Sequence, residues 1–276
     1  MIPHLLNEIP DPPKELFIKG ELLEDEKYIA VVGTRKASSY GKKIATQIAR
    51  DLAGLGITVV SGLAIGIDTY AHEAALQAGG RTVAVLGCGL DQIYPPQNSN
   101  LAKRIIRNGA LISEFPEGTE PARYNFPHRN RIISGLSLAT IVVEAGEKSG
   151  ALITARKAMD QGREVFAVPG DITRPQSKGA LLLLKEGAHP FTDTKDVLEN
   201  LKLQSDIISH IKQHKMQSLT SEEKEVFEHI LHGEEVANEN IIRKSSLHIS
   251  KIQSVLTLLE LRGLIERTKT GMYVRL

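Results

Sequence analysis

The fold is decided by the stretch YIAVVGTRKASSYGKKIATQIARDLAGLGITVV, residues 28–60. It opens with a short run rich in β-branched residues, Tyr28–Val32, and closes with a similar one, Ile57–Val60. The residues between the two runs repeat at helical spacing up to a closing glycine: Ile44, Ile48, Leu52, Leu55 and Gly56. This pattern predicts a strand, a helix and a second strand parallel to the first.

Similar apolar runs follow along the chain, each short and bounded by glycine or a polar turn. The further predicted strands are Thr82–Leu86, Ala110–Ser113, Leu138–Val143, Glu164–Val168 and Ala188–Phe191. Repeated units of this length predict an α/β domain with a doubly wound parallel sheet over residues 28–204. Loops that carry ligands in such sheets follow the carboxyl ends of the strands.

The two ends of the chain differ from this repeat. Residues 1–27 contain four prolines and predict an irregular lead-in. The polar stretch at 205–216 is interpreted as a linker. Residues 217–276 predict a winged helix-turn-helix. Its elements are the helices Ser221–Leu231, Asn238–Arg243 and Ile249–Arg262 and the short strands Leu264–Arg267 and Met272–Leu276.

Composition limits the class of protein. Of the 276 residues, 41% are hydrophobic and 24% charged, which is typical of a soluble globular protein. The single cysteine, Cys88, excludes an internal disulfide and fits a reducing compartment. Neither a signal peptide nor a membrane-length apolar run is present in the sequence. We therefore expect a cytoplasmic protein without membrane association.

Charge is distributed unevenly although the net charge is only +1. Residues 1–30 hold 3 Lys or Arg against 7 Asp or Glu, residues 31–216 hold 23 against 17, and residues 217–276 hold 8 against 9. A globally basic nucleic-acid binder is excluded. A polyanionic partner would be expected to meet the middle segment.

The segment NFPHRNRIISG, residues 125–135, is typical of an anion-binding site. Arg129 and Arg131 flank Asn130 at the predicted start of a helix, followed by an apolar run. Guanidinium groups suit phosphate, and the free backbone N–H groups of a helix start favour an anion in the same place.

Loops of similar composition follow several of the predicted strands: Gly33-Thr34-Arg35, SGLAIGID at 61–68, EAGEKSG at 144–150 and QSKG at 176–179. Glycines and hydroxyls in these loops would let backbone N–H groups approach an oxyanion. Asp68 is unsuited to a phosphate, and we interpret it as a helix cap that orders its loop. Because the loops follow parallel strands, they are predicted to converge on one rim.

Motifs of several enzyme classes are missing from the sequence. It has no Walker A loop, no HExxH, no CxxC pair and no nucleophile elbow. The run Leu86-Gly87-Cys88-Gly89 lacks the third glycine of a dinucleotide fingerprint. A metal enzyme, a nucleotide triphosphatase and an NAD-binding protein are therefore disfavoured, and no cofactor is expected.

Several long motifs in order resemble the DprA/Smf family of DNA-processing proteins in natural transformation. They are Gly33-Thr34-Arg35, SGLAIGID at 61–68, AVLGCGLDQIYPP at 84–96, SEFPEGT at 113–119, NFPHRNRIISGLS at 125–137, SGALITA at 149–155 and REVFAVPGDI at 163–172. The resemblance covers about residues 3–200, and the last sixty residues resemble the winged-helix tail of many members. We expect no counterpart of the helical N-terminal domain found in other members, and Thr34 replaces their usual serine.

The resemblance implies an extended Rossmann-like domain that binds single-stranded DNA, forms a homodimer and loads the recombinase RecA during DNA uptake, without catalysis. Single-strand-binding protein is a further implied partner. Carried over by position, Arg35, Arg129 and Arg131 should be the main phosphate contacts. Polar or backbone contacts are expected from Gly33, Thr34, Ser61, Gly62, Gly66 and Asn130, with Lys178 as an addition. Phe126 either stacks on a base or anchors its own loop as a core aromatic.

Two other functions remain as alternatives. One is a nucleotide phosphoribohydrolase of the related lysine-decarboxylase-like proteins, whose PGGxGTxxE motif is not matched by EAGEKSG at 144–150. The other is a transcription regulator acting through the winged helix. The tail is net −1, and its helix Ile249–Arg262 contains only Lys251 and Arg262 as cations. We therefore predict that the tail does not chiefly grip the DNA backbone.

Overall fold

A computed structural model of the protein contains two compact units. The structure describes residues 2–24, 26–203, 219–230, 234–261, 264–268 and 270–275. The predicted linker at 205–216 lies outside these residues. The first unit spans Met1–Gln204 and the second spans Ser205–Leu276.

The first unit is built from eight strands and eight α-helices. The strands are β1 Phe17–Gly20, β2 Tyr28–Val32, β3 Thr58–Ser61, β4 Thr82–Leu86, β5 Gly109–Ser113, β6 Ala139–Val142, β7 Glu164–Ala167 and β8 His189–Pro190. The helices are α1 His4–Asn7, α2 Ser39–Gly54, α3 Ile67–Gln77, α4 Ser99–Arg107, α5 Asn125–Leu136, α6 Gly150–Asp160, α7 Lys178–Lys185 and α8 Thr194–Asn200. A short 3₁₀ helix, Pro96–Asn98, precedes α4.

The strands form one sheet in the order β1-β5-β4-β3-β2-β6-β7-β8. All neighbouring pairs are parallel except β1 with β5. From β2 the chain first builds one half of the sheet and then returns to build the other from β6. A crevice for ligands is expected where the order reverses in this way, outside the carboxyl ends of β2 and β6. The predicted doubly wound, mostly parallel sheet is confirmed.

Burial of the sheet on both faces explains why its strands read as continuous apolar runs. Every residue of β2, β4 and β5 is buried. α2 covers the sheet with one face, which includes Ile48 and Leu52, and the Ser38 hydroxyl accepts a hydrogen bond from the Gly41 N–H at its start. The helical spacing seen in the sequence is therefore the contact face of α2.

The prediction of an irregular lead-in at residues 1–27 is wrong. This segment contains α1 and supplies β1, whose Phe17 pairs with Ser113 of β5 in an antiparallel register. Leu6 and Ile9 are buried and would collide with any side chain at Gly135 of α5. β1 lies at the sheet edge with its last three residues exposed, so it shows no alternating pattern that sequence could reveal.

The second unit has the predicted winged-helix elements. They are α9 Ser221–Glu228, α10 Asn238–Lys244, α11 Ile249–Leu261, β9 Ile265–Arg267 and β10 Tyr273–Arg275. β9 and β10 form an antiparallel pair. The core includes Phe227, Ile252, Leu256 and Tyr273. Three predicted element ends, Leu231, Arg262 and Leu276, lie outside the described residues.

No helix in the described part of the chain combines the length and the apolar character needed to cross a bilayer.

Candidate nucleic-acid interface

A groove of about 1010 Å³ opens at the point where the sheet order reverses. Its walls come from the loop after β2, the loop after β6, the first turns of α5 and the start of α6. Three of the four strand-end loops that the sequence predicted to converge line this groove, since SGLAIGID contributes Ala64 and Asp68, whereas QSKG at 176–179 does not line it. The topology brings them together because β2 and β6 are parallel neighbours, Val32 opposite Val142.

Four exposed cations line this groove: Arg35 and Lys36 after β2, Arg123 before α5 and Lys148 before α6. The acidic residue that lines it, Asp68, is buried. Like charges around a concave surface focus a positive potential there, which attracts anions. The groove is therefore a cationic surface at the edge where this fold type binds ligands.

Two aromatic rings accompany the cations. The ring centroid of Phe126 is 5.7 Å from Cζ of Arg35 and 5.9 Å from Cζ of Arg129, so two guanidinium groups lie near it. Tyr94, 43% exposed, lies 5.5 Å from Phe126 between centroids. Phe126 is half-buried and would contact a side chain at Gly87. Its ring is thus both a packing element of its loop and part of the groove wall.

Arg129 lines the groove but points its donors into the protein. It is only 4% exposed, and its Nη1 donates to the carbonyl oxygens of Gly62, at 2.8 Å, and Val85. Burial lowers the pKa of Arg129 to about 10, with the nearby Asp68 carboxylate acting in the opposite direction. The side chain stays charged at neutral pH and holds the loop after β3 against β4.

Asp68 fills the anion-binding position of the SGLAIGID loop. Its Oδ2 accepts hydrogen bonds from the N–H groups of Gly62, at 3.1 Å, and Ala64, at 3.3 Å. Burial raises the pKa of Asp68, while Arg129 and the two amides oppose this shift. The hydroxyl of Ser61 donates to the Val31 carbonyl at 2.7 Å. The amide of Gly62, which the sequence predicted to face an oxyanion, instead donates to the Asp68 carboxylate. Asp68 orders its loop as predicted, but the prediction that it caps the helix is wrong, because α3 begins at Ile67 and has Gly66 as its N-cap.

Gly66 lets the loop after β3 touch the loop after β2. Its φ is +92°, and a Cβ atom there would lie 2.4 Å from the Thr34 carbonyl oxygen. The same carbonyl accepts from the Ile67 N–H at 3.2 Å. Gly33 lines the groove and equally has no room for a side chain, since a Cβ would lie 2.6 Å from Ile67. Both glycines are required by close packing of the two loops.

The loop after β2 is held from the other side by Glu144. The Thr34 N–H donates to the Glu144 carbonyl at 2.7 Å. The buried Glu144 carboxylate accepts from the Ser38 N–H at 3.0 Å and from the Ser38 hydroxyl at 2.6 Å. In the alternative phosphoribohydrolase interpretation Glu144 would be a reactive group. Its position instead makes it a brace for the loop that carries Arg35 and Lys36.

The start of α6 forms the opposite wall. The Ser149 hydroxyl caps this helix by accepting from the Ala151 N–H at 3.3 Å, and Asn130 Nδ2 donates to the Gly150 carbonyl at 3.3 Å. Gly150 is exposed, and a Cβ added there would meet open space. Asn130 thus lines the groove and joins α5 to α6, as a polar residue of the predicted anion site.

Five predicted contact residues do not line the groove: Ser61, Gly62 and Gly66, which shape the loop after β3, and Arg131 and Lys178. Arg131 is 5% exposed, with Nε 2.9 Å from Asp11 Oδ2 and Nη2 2.6 Å from Glu114 Oε1. It ties the N-terminal segment to the loop after β5. Lys178 is half exposed, and its Nζ lies 3.5 Å from Oε1 of Glu147, the neighbour in sequence of the groove-lining Lys148. Their roles as phosphate contacts stay predictions that their positions do not support.

Sequence reasoning missed four groove residues: Lys36, Tyr94, Arg123 and Lys148. Lys36 and Lys148 adjoin motifs that follow strands, so a count of cations in strand-end loops would have found them. Tyr94 precedes two prolines, a pattern typical of a rigid turn, and Arg123 has no sequence signal. Among the described residues no group of three His, Cys, Asp or Glu side chains is arranged to hold a metal ion.

Two family models match the chain. The model for DNA recombination-mediator protein A covers residues 1–202, and the model for the DprA winged helix domain covers residues 212–270. Protein Smf of Escherichia coli (strain K12) is 50% identical over 194 residues, which are 70% of this chain and 52% of Smf. The match thus extends over about half the length of that relative.

Two solved structures share the fold. DNA processing protein A of Streptococcus pneumoniae has a TM-score of 0.68 and 45% identity, covering 72% of this chain and 70% of that one. DNA processing protein A of Helicobacter pylori, described for its single-stranded DNA binding mode, has a TM-score of 0.68 and 32% identity, covering 74% of this chain and 94% of that one.

Proposed function

Because the chain belongs to the DNA recombination-mediator protein A family, we propose that it binds single-stranded DNA in the groove between the β2 and β6 loops. The observation that carries the proposal is the meeting of exposed cations and aromatic rings at the sheet's topological switch point. A cationic path combined with aromatic stacking surfaces is the usual design of sites that bind single strands without reading sequence.

Phosphates are proposed to contact the exposed cations on the two walls. Arg35 and Lys36 stand on one wall and Lys148 on the other, with Arg123 at the start of α5. Thr34, Asn130 and the backbone around Gly33 and Gly150 are proposed as polar contacts. The α6 start adds the partial positive charge of a helix N-terminus. Ser61, Gly62 and Gly66 support these contacts by shaping the loops.

A base is proposed to stack in the part of the groove walled by Tyr94 and Phe126. The half-exposed tyrosine and the half-buried phenylalanine lie 5.5 Å apart, and Arg35 adds a guanidinium plane close to Phe126. Every base has a π face, so stacking of this kind tolerates any sequence. Phe126 was open to two interpretations, base stacking and loop anchoring. Because its ring packs in its loop and also lines the groove, we propose that it does both.

The cellular role is proposed to be that of a cytoplasmic recombination mediator. In this proposal a homodimer holds incoming single strands during DNA uptake and loads RecA recombinase onto strands covered by single-strand-binding protein. Family membership supports this role. No catalytic step is included in the proposal, since the buried carboxylates at the groove, Asp68 and Glu144, are engaged by backbone amides and Ser38.

The groove proposal is tested by gel shift of oligothymidylate and duplex DNA over a range of salt. The double variant Arg35→Ala/Lys148→Ala should reduce the log–log salt slope by about 1.4, because each phosphate on a single strand that is no longer neutralised removes about 0.7. This corresponds to about a 25-fold loss of affinity at about 0.1 M salt, relative to about 1 M.

The matched control is Arg50→Ala/Lys157→Ala, which removes two exposed cations from α2 and α6 that do not line the groove. It changes the net charge equally and should leave affinity within about twofold. Equal losses in both double variants would show that overall charge, and not the groove, controls binding. A separate assay of RecA filament growth on coated single strands tests the mediator role.

A further inference from the structure

α4 presents a cationic face that the groove does not include. Lys103, Arg104 and Arg107 are exposed, while Leu101 and Ile105 of the same helix are buried. At 100° per residue the three cations fall on one arc of the helix surface, opposite the apolar stripe. The helix contains no acidic residue. We call the surface of these three cations the α4 strip.

The cations of the α4 strip have no partner among the residues that the structure describes. None of the three takes part in an ion pair or a side-chain hydrogen bond. The elements packed against α4 do carry carboxylates, namely Glu73 of α3 and Glu21 directly after β1. Glu21 accompanies Arg81, with Oε2 3.9 Å from Nη1. Three adjacent unpaired cations on a short helix constitute a surface suited to a polyanion.

α4, the helix that carries the strip, begins five residues after the groove-lining Tyr94. Tyr94 lines the groove, and the chain then passes through the 3₁₀ helix Pro96–Asn98 directly into α4. Asn98 fixes this junction by donating to the Leu63 carbonyl at 2.8 Å and the Thr69 hydroxyl at 2.9 Å. With a rise of about 1.5 Å per residue, the strip's cations lie about 6 to 12 Å along the helix from its start at Ser99.

We propose that the α4 strip is a second phosphate-binding surface, which takes a single strand of DNA as it leaves the groove past Tyr94. The proposal rests on the proposed function of the groove. It predicts the direction in which the bound strand leaves the groove. It also predicts that strands long enough to reach α4 bind more tightly than short strands, because they make additional phosphate contacts. The occupant is the phosphodiester backbone, because cations without an accompanying aromatic ring provide charge but no surface for stacking.

The test uses the full-length chain and two labelled oligothymidylates of about 6 and about 16 nucleotides, near the ends of the range of single-strand site sizes. The variant Lys103→Gln/Arg104→Gln/Arg107→Gln should bind the short strand within about twofold of the parent. For the long strand the salt slope should fall by about 0.7 for each phosphate that is no longer neutralised, with at least about a fivefold loss of affinity at about 0.1 M salt relative to about 1 M.

A control triple variant removes exposed lysines from α6, α7 and α8, Lys157→Gln/Lys185→Gln/Lys195→Gln, and should leave both strands unaffected. Unchanged binding of the long strand by the α4 variant overturns the proposal, and leaves an acidic protein as the partner that the strip fits. Equal loss for both strands also overturns it, because the variant would then act on the groove. If the parent protein binds neither strand, the groove proposal fails and the strip fails with it.

A cross-linking measurement gives a second, independent answer. Cys88 is 1% exposed, so the variant Arg104→Cys places one accessible thiol on the strip. A long oligothymidylate with an activated disulfide at one end should cross-link to this variant, while the short strand and the matched variant Lys157→Cys should not. Cross-linking of Lys157→Cys at the same yield would show that the DNA end reaches surface thiols by random collision and does not follow the α4 strip. This result would contradict the proposal.

Discussion

The groove and the winged helix differ in the number of unpaired cations that they expose, although winged helices commonly bind nucleic acid. The groove combines four exposed cations with Tyr94 and Phe126. α11, the helix that a helix-turn-helix would place in a DNA groove, has Lys251 as its one cation over 249–261. The Lys251 Nζ lies 2.9 Å from Glu222 Oε2 and is neutralised there. The fold type alone therefore does not predict which unit meets DNA, and our proposal is based on the exposed side chains.

Acidic residues of the winged-helix unit have structural roles of their own. Glu225 of α9 accepts hydrogen bonds from the Ser245 hydroxyl at 2.7 Å and the Ser246 N–H at 2.6 Å, after the end of α10. These bonds lower the pKa of Glu225. The Glu225 carboxylate links α9 to the segment after α10. Its negative charge therefore has a structural role in this unit, although it would repel a phosphate. In the groove, by contrast, the acidic lining residue Asp68 is buried and accepts hydrogen bonds from backbone amides.

The largest effect is expected on the stability of the folded protein when the buried cation Arg129 is removed. Arg129→Ala removes the donor of the Gly62 and Val85 carbonyls and leaves Asp68 without its compensating cation. A buried polar group left without its hydrogen-bond partner typically costs about 1–3 kcal/mol in the free energy of unfolding, and two buried carbonyls lose their donor here. Urea denaturation measures this loss, and Arg50→Ala on the exposed face of α2 is the control, expected within about 0.5 kcal/mol.

The same variant should respond to pH. Burial raises the pKa of Asp68 in the folded state, and removal of Arg129 takes away an opposing influence. A carboxyl whose folded pKa lies above its unfolded value binds more protons when folded, so the folded state gains stability as pH falls. The deficit of Arg129→Ala against the parent should be smaller at about pH 5 than at about pH 8. A pH-independent deficit would mean that Asp68 does not depend on Arg129.

A smaller effect is expected from the aromatic wall. Phe126→Leu keeps an apolar side chain against Gly87 but removes the stacking surface, which is worth about 1–3 kcal/mol per base. We expect a loss of about tenfold in single-strand affinity with an unchanged salt slope, since no phosphate contact is removed. Gel shift at several salt concentrations separates this result from that of the cation variants. A lower slope would show that the ring mainly positions Arg35.

The smallest effect is expected from loss of the winged-helix unit. A chain ending at residue 203 should bind single strands within about threefold of the full-length protein at matched salt, because α11 supplies no unpaired cation in its described residues. Thermal unfolding and sedimentation of the shortened chain establish that it is folded and in the same oligomeric state. If the shortened chain is folded and has the same oligomeric state but loses most of its affinity for single strands, the winged-helix unit and not the groove is the main DNA-binding surface.

Much of the fold could be predicted because buried parallel strands leave a strong sequence signal. The parallel strands β2 to β7 were found within about one or two residues of their ends, since each is covered on both faces. β1 escaped because it is an exposed edge strand of four residues between proline-rich and acidic stretches. Its pairing with β5 depends on a contact between distant parts of the chain, which periodicity cannot report.

The site was predictable in its location but less so in its residues. Strand-end loops identified the rim, because parallel topology brings them to one edge. The sequence could not distinguish Arg35, which is exposed, from Arg129, which is buried. Arg131 is two positions from Arg129 in α5, about 200° around the helix, and faces Asp11 and Glu114 instead of the groove. Only the packing of α5 decides that both guanidinium groups are buried and that Arg129, but not Arg131, lines the groove.

The antiparallel β1 also has a consequence for the order in which the chain can fold during synthesis. Phe17 pairs with Ser113, so β1 must wait during synthesis for almost a hundred further residues before its partner strand exists. With synthesis at about 5–20 residues per second, this segment stays unpaired for about 5 to 20 seconds. The β2–β3–β4 core can assemble earlier from neighbouring strands, and β1 then closes the edge of a sheet that is already largely built.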